Sequence, residues 1–497
     1  MKDHVARWDV AIIGLGPVGA TLANLLGGYG IKTIVLEKNS SAHQQPRAVM
    51  FDDEVMRVFQ TLKLSKIMTD ITEVGGGAKF VDGDGNILLD WRRPRELSPN
   101  GWCVNYRFHQ PELEYTLRDN LNNHQTVEIL WNTEVVALKQ NDSGVRVTYS
   151  DHASRRRRSI DATYTVGCDG SRSFVRECIE TRVEDLGFHE PWLVVDLIMN
   201  QPDDQMEPES IHFCERGRSS TQVYLGPKRK RWEFRLELDD DPNEVTNPAF
   251  VWSLLSRWIG QSEAELERAS VYTFHSLIAE TWRRGRLLIA GDAAHQTPPF
   301  MGQGMCAGIR DAANLAWKLN SIIKNKASDE LLDSYETERH PHVKEFIELT
   351  IQMGELLNNT RTALVSRNTQ LTFSGPQTLR QLKPALGPGL SAGNSQHRGE
   401  LFPQPKLFDG TRMDDQIGSG PALILDHGVD FGDLEAIKNI MDSRIKIIQD
   451  RSEDLKIWFN KSQVKAVLMR PDRYILGSAR NGSDLKNLLI GANSVGL

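Results

Sequence analysis

Gly14-Leu15-Gly16-Pro17-Val18-Gly19 follows an apolar run, opens a helix-forming one, and has Glu37 lying 23 residues beyond Gly14. The first glycine permits a tight turn and the second lets backbone N–H groups approach a pyrophosphate. The third lets helix and strand close together, and an acid about 20 residues on accepts hydrogen bonds from ribose hydroxyls. This pattern holds a dinucleotide, and the acid disfavours a 2′-phosphate, which suits FAD or NAD better than NADP. A second cluster is Gly291-Asp292-Ala293-Ala294-His295, with Pro298-Pro299 and Gly302-Gln303-Gly304-Met305 after it, leading into a helical stretch that carries Asp311, Asn314 and Trp317. A carboxylate at a strand end accepts hydrogen bonds from a polyol, and a glycine turn into a helix presents N–H donors to an electron-rich carbonyl edge. Those are the needs of a ribityl chain and an isoalloxazine ring. The third cluster, Gly167-Cys168-Asp169-Gly170-Ser171-Arg172 with Arg176 behind it, reads on its own equally well as a salt-bridged Asp-Gly turn.

Positioning these groups requires particular elements. Trp8 to Gly14, Pro17 to Gly28 and Lys32 to Glu37 read as strand, helix and strand of a parallel sheet. Val127 to Leu130, Glu134 to Leu138 and Val145 to Tyr149 read as strands of a meander, and Tyr164 to Cys168 as a buried strand delivering Asp169. From Phe188 to Asp239 the pattern has period two with charges on one side, which predicts an antiparallel sheet with one wet face. Arg286 to Ala290 returns to a buried parallel strand, and Gly304 to Ile323 and Leu331 to Leu356 are helical, so the first domain is expected to be discontinuous. Thr372 to Pro405, rich in Gly, Pro, Ser and Gln, reads as a linker or extended wrap, and Lys406 to Leu497 as a small α/β unit. Arg155 to Arg158 reads as a solvated turn.

Composition narrows the function classes. The chain has 497 residues, 39% hydrophobic and 25% charged, enough for two to four folding units and unlike collagen, coiled coil or disorder. Its 59 Lys and Arg against 66 Asp and Glu leave a net charge of −7, with no footprint for nucleic acid. Five cysteines at irregular spacing, with no CxxC, argue for a reducing compartment without disulfides or a metal site. The apolar Val10 to Leu26 carries three glycines and a proline and reads as folded structure, not as a leader or a membrane span, so a cytoplasmic enzyme of small molecules is expected.

In this order and spacing the three motifs resemble the single-component FAD-dependent aromatic hydroxylases, the para-hydroxybenzoate hydroxylase-like family, over roughly residues 8 to 350. AGDAAHQTPPFMGQGMCAGIRDAANLAWKL (290 to 319) and LLDSYETERHPH (331 to 342) are most similar to the 3-(3-hydroxyphenyl)propionate and phenol hydroxylase members. The resemblance implies an α/β fold: a Rossmann-like FAD-binding domain over 1–185 and 272–371, and an inserted antiparallel substrate domain over 186–271 with part of 75–108. It also implies a linker over 372–405 and a thioredoxin-like domain over 406–497, which lacks cysteines and would serve packing or a homodimer.

The resemblance further implies FAD as cofactor, NADH or NADPH and O2 as co-substrates, and hydroxylation of a phenolic ring ortho or para to its hydroxyl through a flavin C4a-hydroperoxide. Gly14, Gly16, Pro17, Val18, Gly19, Glu37, Lys38 and Arg47 would hold the adenosine and pyrophosphate, with Gln110 near the phosphates or ribityl chain and Val135 beside adenine. Asp169 would serve FAD and the nicotinamide. Gly291 and Asp292 would hold the ribityl hydroxyls, and Pro299, Gly302, Gly304 and Met305 would face the flavin. Pro298 and Pro299 would line the substrate pocket, with Tyr106 and, for an acidic substrate, Arg107.

Ring attack is fastest on a phenolate, and ionising a phenol of pKa about 10 at neutral pH takes roughly 4 kcal/mol. The candidates for this work on the inserted sheet are His212, Arg216, Tyr224 and Arg235. His212 has the intrinsic pKa for proton transfer, against the plainer reading of a strand histidine that faces solvent. No tyrosine can be matched to the one that ionises substrate in para-hydroxybenzoate hydroxylase. A tailoring hydroxylase of polycyclic polyketides or alkaloids shares every motif, and a non-catalytic FAD-binding module would keep the cradle.

Overall fold

The computed structural model describes residues 7–41, 47–151, 155–203, 207–215, 217–241, 243–358, 377–378, 382–390, 396–429 and 441–497. Arg216, Gln45 and Pro46 lie outside them. Five strands, Leu287–Ile289, Arg157–Gly167, Arg7–Ile13, Thr33–Leu36 and Val127–Leu130, lie side by side and parallel in that order. Thr33–Leu36 is buried along its whole length, as a strand covered on both faces must be. The helices Pro17–Gly28 and Gln303–Asn325 pack together against this sheet, with Val18 seated between Gly291 and Gly308.

The register does something the sequence only hinted at. Ile13 pairs with Gly167 and Gly167 with Ile289, so the residues that follow these three strands, Gly14, Cys168-Asp169 and Ala290-Gly291-Asp292, emerge together at one carboxyl edge. Parallel sheets bind their ligands there.

A second sheet of nine strands is built mainly from Gly77–Asp82, Ile87–Arg92, Val183–Met199, Glu209–Cys214, Ser220–Tyr224, Arg229–Arg235 and Ala264–Ala279. It is mixed and not purely antiparallel, because Glu209–Cys214 runs parallel to Gly77–Asp82. Nor is its charged side wet. One face carries Leu193, Val195, Trp232 and Phe234 under the helix Pro248–Leu255. The other carries Asp196, Arg231, Glu233 and Arg268, all buried, because the segment after Arg47, the turn Pro299–Met301 and the helix Asp333–Asn358 close over it. Alternation predicted two faces correctly, but charge on one of them did not mean water.

A four-stranded sheet (Lys446–Gln449, Ala422–Leu425, Ala466–Met469, Ile475–Ala479) with the helices Glu453–Ser462 and Gly482–Ser494 forms the terminal unit. Arg470 joins it to the first domain through a bidentate pair with the buried Glu338, at 2.8 and 3.0 Å. The described part of the segment before it wraps the same helix, with Gly387 and Leu390 donating their N–H groups to Glu338. Among the described residues no helix is long and apolar enough to cross a membrane, and no group of three or more His, Cys, Asp or Glu could hold a metal ion.

Candidate active site

The first glycine motif is shaped by two constraints of different origin. Gly14 has φ +96°, and a Cβ on it would stand 2.5 Å from the Cys168 carbonyl oxygen; a Cβ on Gly19 would stand 2.1 Å from the Gly14 oxygen. Both glycines are demanded by the protein's own packing. Gly16, by contrast, has no atom within 4 Å of where its Cβ would be, and neither has Gly304 at the start of the Gln303–Asn325 helix. Neither the Pro17–Gly28 nor the Gln303–Asn325 helix has a side-chain N-cap or an acid in its first turn, so free N–H groups and positive helix ends face open space at both places.

Glu37 is buried, its Oε2 accepting from Leu15 N at 2.7 Å and its Oε1 from Asn39 N at 2.8 Å. Thr133 N donates to the Glu37 carbonyl oxygen, which brings Val135 alongside. Lys38 is exposed. Gln110 works inward: its Oε1 accepts from Arg47 N and Ala48 N at 2.7 and 2.8 Å, and its amide donates to Glu114. The Arg47 backbone is also held by Arg231 Nη1, at 3.0 Å from its carbonyl oxygen, while the Arg47 side chain is exposed along the groove.

Asp169 accepts from Ser173 Oγ, the N-cap of the short helix Phe174–Ile179, at 2.5 Å and from Val175 N at 3.1 Å, and burial raises its pKa. Asp292 has no hydrogen-bond partner among the described residues. Its carboxylate is open to solvent, yet it lies so deep in the crevice that desolvation raises its pKa, with His295 and Arg47 drawing it partly back. His295 serves the turn: its Nε2 lies 2.7 Å from Asp311 Oδ2, which also accepts from Gly291 N at 3.0 Å, while Arg339 holds Asp311 Oδ1 at 2.9 Å.

An unpartnered acid, two open glycines and two uncapped helix ends along one edge fit the polyol, pyrophosphate and carbonyl edge of FAD. Asp292→Ala is therefore expected to weaken FAD binding at least tenfold, since hydrogen bonds to a charged group contribute about 1.5–3 kcal/mol. Flavin absorbance after gel filtration measures it, and normal flavin content in the variant would contradict this placement.

The inner face of the second sheet reaches this edge through Arg231 and the Arg47 carbonyl oxygen. His212 is buried and not solvent-facing: its Nδ1 lies 2.8 Å from Thr221 Oγ1 and its ring stacks on Phe80 at 4.2 Å. Burial, helped by Arg107, pushes its pKa down to about 3, so the imidazole is neutral at working pH and lacks the near-neutral titration expected of it. Arg107 donates to Ser210 Oγ at 3.1 Å while its Nε has no partner; burial, with Arg93 beside it, lowers its pKa to about 9.

Tyr224 is buried at a strand end, its pKa raised chiefly by burial. Arg235 is tied to Gly217 O and Glu237 at 3.0 and 3.2 Å, at the margin of this face. Tyr106 is engaged inside the fold, its hydroxyl accepting from Cys103 N at 3.0 Å and its ring stacked on Phe51 at 5.2 Å. The buried Trp102 donates to Gln60 and lies under Arg412 of the terminal unit. Pro298 is buried and Pro299 half-buried at the head of the turn that sets Phe300 against Phe188 and Trp192. Met305 is half-buried one residue after Gly304.

Residues 7–350 match a protein-family profile described as FAD binding domain, and residues 435–489 one described as HcaD C-terminal domain. The chain is 35% identical over 500 residues to a protein of Rhodococcus jostii named probable NADH-specific resorcinol 4-hydroxylase, covering 97% of this chain and 93% of that one. It is 32% identical to a 3-(3-hydroxy-phenyl)propionate/3-hydroxycinnamic acid hydroxylase of Burkholderia cenocepacia, covering 94% and 93%. In fold it is similar to the flavin-dependent monooxygenase PieE in complex with FAD and substrate, at a TM-score of 0.80, 18% identity and 99% coverage of both chains. A ternary complex of aklavinone-11 hydroxylase with FAD and aklavinone gives 0.79, 21% identity, and coverage of 98% and 100%.

Proposed function

The chain belongs to the family of FAD-dependent aromatic hydroxylases, which use NAD(P)H and O2 on phenolic rings, and from that premise we propose that its own substrate is a small resorcinol-type phenol and its reductant NADH. The balance is ring C–H + O2 + NADH + H+ giving ring C–OH + NAD+ + H2O. Bound FAD supplies the transfer of electrons from NADH to O2 and the electrophilic oxygen. The chain's own residues supply position, dryness and charge. Asp292 and the open helix ends would hold the cofactor. Trp192, Phe188, Phe300 and Met301 form an apolar wall that excludes water. The polar inner face of the second sheet would orient the ring.

The observation that carries this reading is that the buried polar face and the Asp292–Gly304 edge meet at Arg47, whose carbonyl oxygen accepts from Arg231 and whose charge acts on Asp292. The full-length similarity to a resorcinol 4-hydroxylase supports the substrate class. A second reading, a phenol bearing a carboxylate side chain, is favoured by Arg107, whose buried, unpartnered Nε would suit such a group. The 406–497 unit is read as thioredoxin-like and, having no cysteine, as structural. The free cysteines suit a cytoplasmic enzyme.

The test is coupled turnover. Purified protein with FAD, NADH, O2 and resorcinol is expected to yield benzene-1,2,4-triol in near one-to-one ratio to NADH. Faster coupled turnover of 3-(3-hydroxyphenyl)propionate would favour the second reading, and NADH consumption without hydroxylated product from either phenol would defeat both.

A further inference from the structure

We propose that Glu233 accepts the proton of the substrate's phenolic hydroxyl, with the guanidinium groups of Arg107 and Arg231 facing the phenolate that results. This rests on the reading above, that a phenol is held at the inner face of the second sheet. Glu233 stands in a transverse row with Val194, Thr221, His212 and Phe80, fixed by the pairings Val194 with Glu233, Glu233 with Thr221, Thr221 with His212 and His212 with Phe80. The row lies beside the one holding Asp196, Arg231 and Val223.

Glu233 is anomalous. Buried carboxylates are almost always hydrogen-bonded. Its neighbour Asp196 obeys, with Arg231 at 2.7 and 3.1 Å and Arg268 at 2.6 Å. Glu233 is buried as well, at 8% exposure, but has no hydrogen-bond partner among the described residues. Arg231 Nη1 stands 3.9 Å from its Oε1, beyond bonding reach, and a tenth of its side chain stays open. A donor is missing at this oxygen, and a phenolic O–H is a donor of the right kind. His212 does not compete for the proton, since Thr221 holds its Nδ1 and its ring is buried against Phe80.

Charge supports the same assignment. The groups facing Glu233 are Arg231 on its own strand, Asp196 and Arg268 on Val183–Met199 and Ala264–Ala279, Arg107 on Tyr106–Phe108 and the neutral His212. Three guanidinium groups thus meet two carboxylates. When the phenol O–H bond breaks and an O–H bond forms on Glu233, the electron pair stays on the phenol oxygen. One anion replaces another, and the total charge of the cluster is unchanged. Burial raises the Glu233 pKa, with Arg231 the main restraint, which brings it closer to what a base at neutral pH needs.

The test uses the FAD-loaded full chain with Glu233→Gln and Glu233→Asp, after wild-type turnover of resorcinol has been measured. The glutamine variant is expected to keep its flavin content and spectrum. Its hydroxylation rate should fall at least a hundredfold, its rate should climb with pH toward the phenol's own pKa, and it should lose less on a more acidic, ring-fluorinated resorcinol. The aspartate variant should recover part of the rate and the wild-type pH profile. Wild-type rate and pH profile in Glu233→Gln would overturn the assignment. So would an equal loss on both phenols with an unchanged profile in both variants, the mark of a purely structural role. A wild type that hydroxylates no phenol overturns the functional reading and this proposal with it.

Discussion

Gly19→Ala is expected to destabilise the first domain by about 3 kcal/mol, while Gly16→Ala, three residues earlier, is expected to leave its stability unchanged and to weaken its hold on FAD. Ordinarily alanine in a helix is about 1 kcal/mol better than glycine. At Gly19 the sign reverses, because the new Cβ would meet the Gly14 carbonyl oxygen at 2.1 Å and the Cys168 Cβ at 3.2 Å. The obstacle is backbone, so the helix must lift off the strand that carries Gly14. Forced shifts of this kind cost typically 1–3 kcal/mol and occasionally more, and here the loss is expected at the upper end, about 3 kcal/mol, since the two elements meet at the cofactor edge.

At Gly16 no protein atom lies within 4 Å of the added carbon and φ is −71°, so alanine fits the chain. It fills the space left for the pyrophosphate, and the same order of overpacking then falls on binding: about 2 kcal/mol, or roughly thirtyfold weaker retention of FAD. Denaturation midpoints of the apoproteins and FAD titrations separate the two effects. Equal stability losses would show that Gly16 is also held by the protein, contrary to the open space beside it.

Glu338→Gln is expected to detach the terminal unit. Glu338 accepts from Arg470 at 2.8 and 3.0 Å, from Lys318 at 2.7 Å and from Asn314 at 3.0 Å, almost wholly out of solvent. Removing one partner of a buried pair leaves uncompensated charge and costs about 3–5 kcal/mol. Burial alone would raise the Glu338 pKa, but Arg470 and Lys318 overcome it and hold the carboxyl well below the usual range. A carboxylate with a depressed folded pKa contributes stability that is complete above its unfolded pKa of about 4.3 and is lost only as pH falls through the folded value. The wild-type joint should therefore hold below pH 4, while the glutamine variant is weak at neutral pH already. Hydrogen exchange of 406–497 against 7–350 reads this out. Matching protection in variant and wild type at pH 7 would refute it.

Residues 470–474 show why some of this was legible and some was not. Arg470-Pro471-Asp472-Arg473-Tyr474 falls in the stretch that the family resemblance marks as a thioredoxin-like unit serving packing or a homodimer. Their partners Glu338, Asp414 and Glu54 lie between 59 and 420 residues away in the chain, and no local pattern names a partner at such a distance. Tyr106 carried the opposite ambiguity: a buried aromatic looks the same in sequence whether it lines a pocket or fills a core. Glu233 was passed over because Arg231, Glu233 and Arg235 alternate with Trp232 and Phe234, a pattern that says which residues share a face and nothing about what covers that face.

By itself, the sequence determined the βαβ unit, the glycine turns and the three acids that follow strands, because turn geometry, helix capping and apolar periodicity are properties of a few consecutive residues. It determined the family for the same reason, since the motifs are local. Only the tertiary structure decided that the ends of three strands meet at one edge, that His212 is a buried neutral ring, and that the charged side of the second sheet is enclosed. Those outcomes depend on register and on burial, which are set by contacts between segments hundreds of residues apart, and desolvation acts on a group only once those contacts have closed around it.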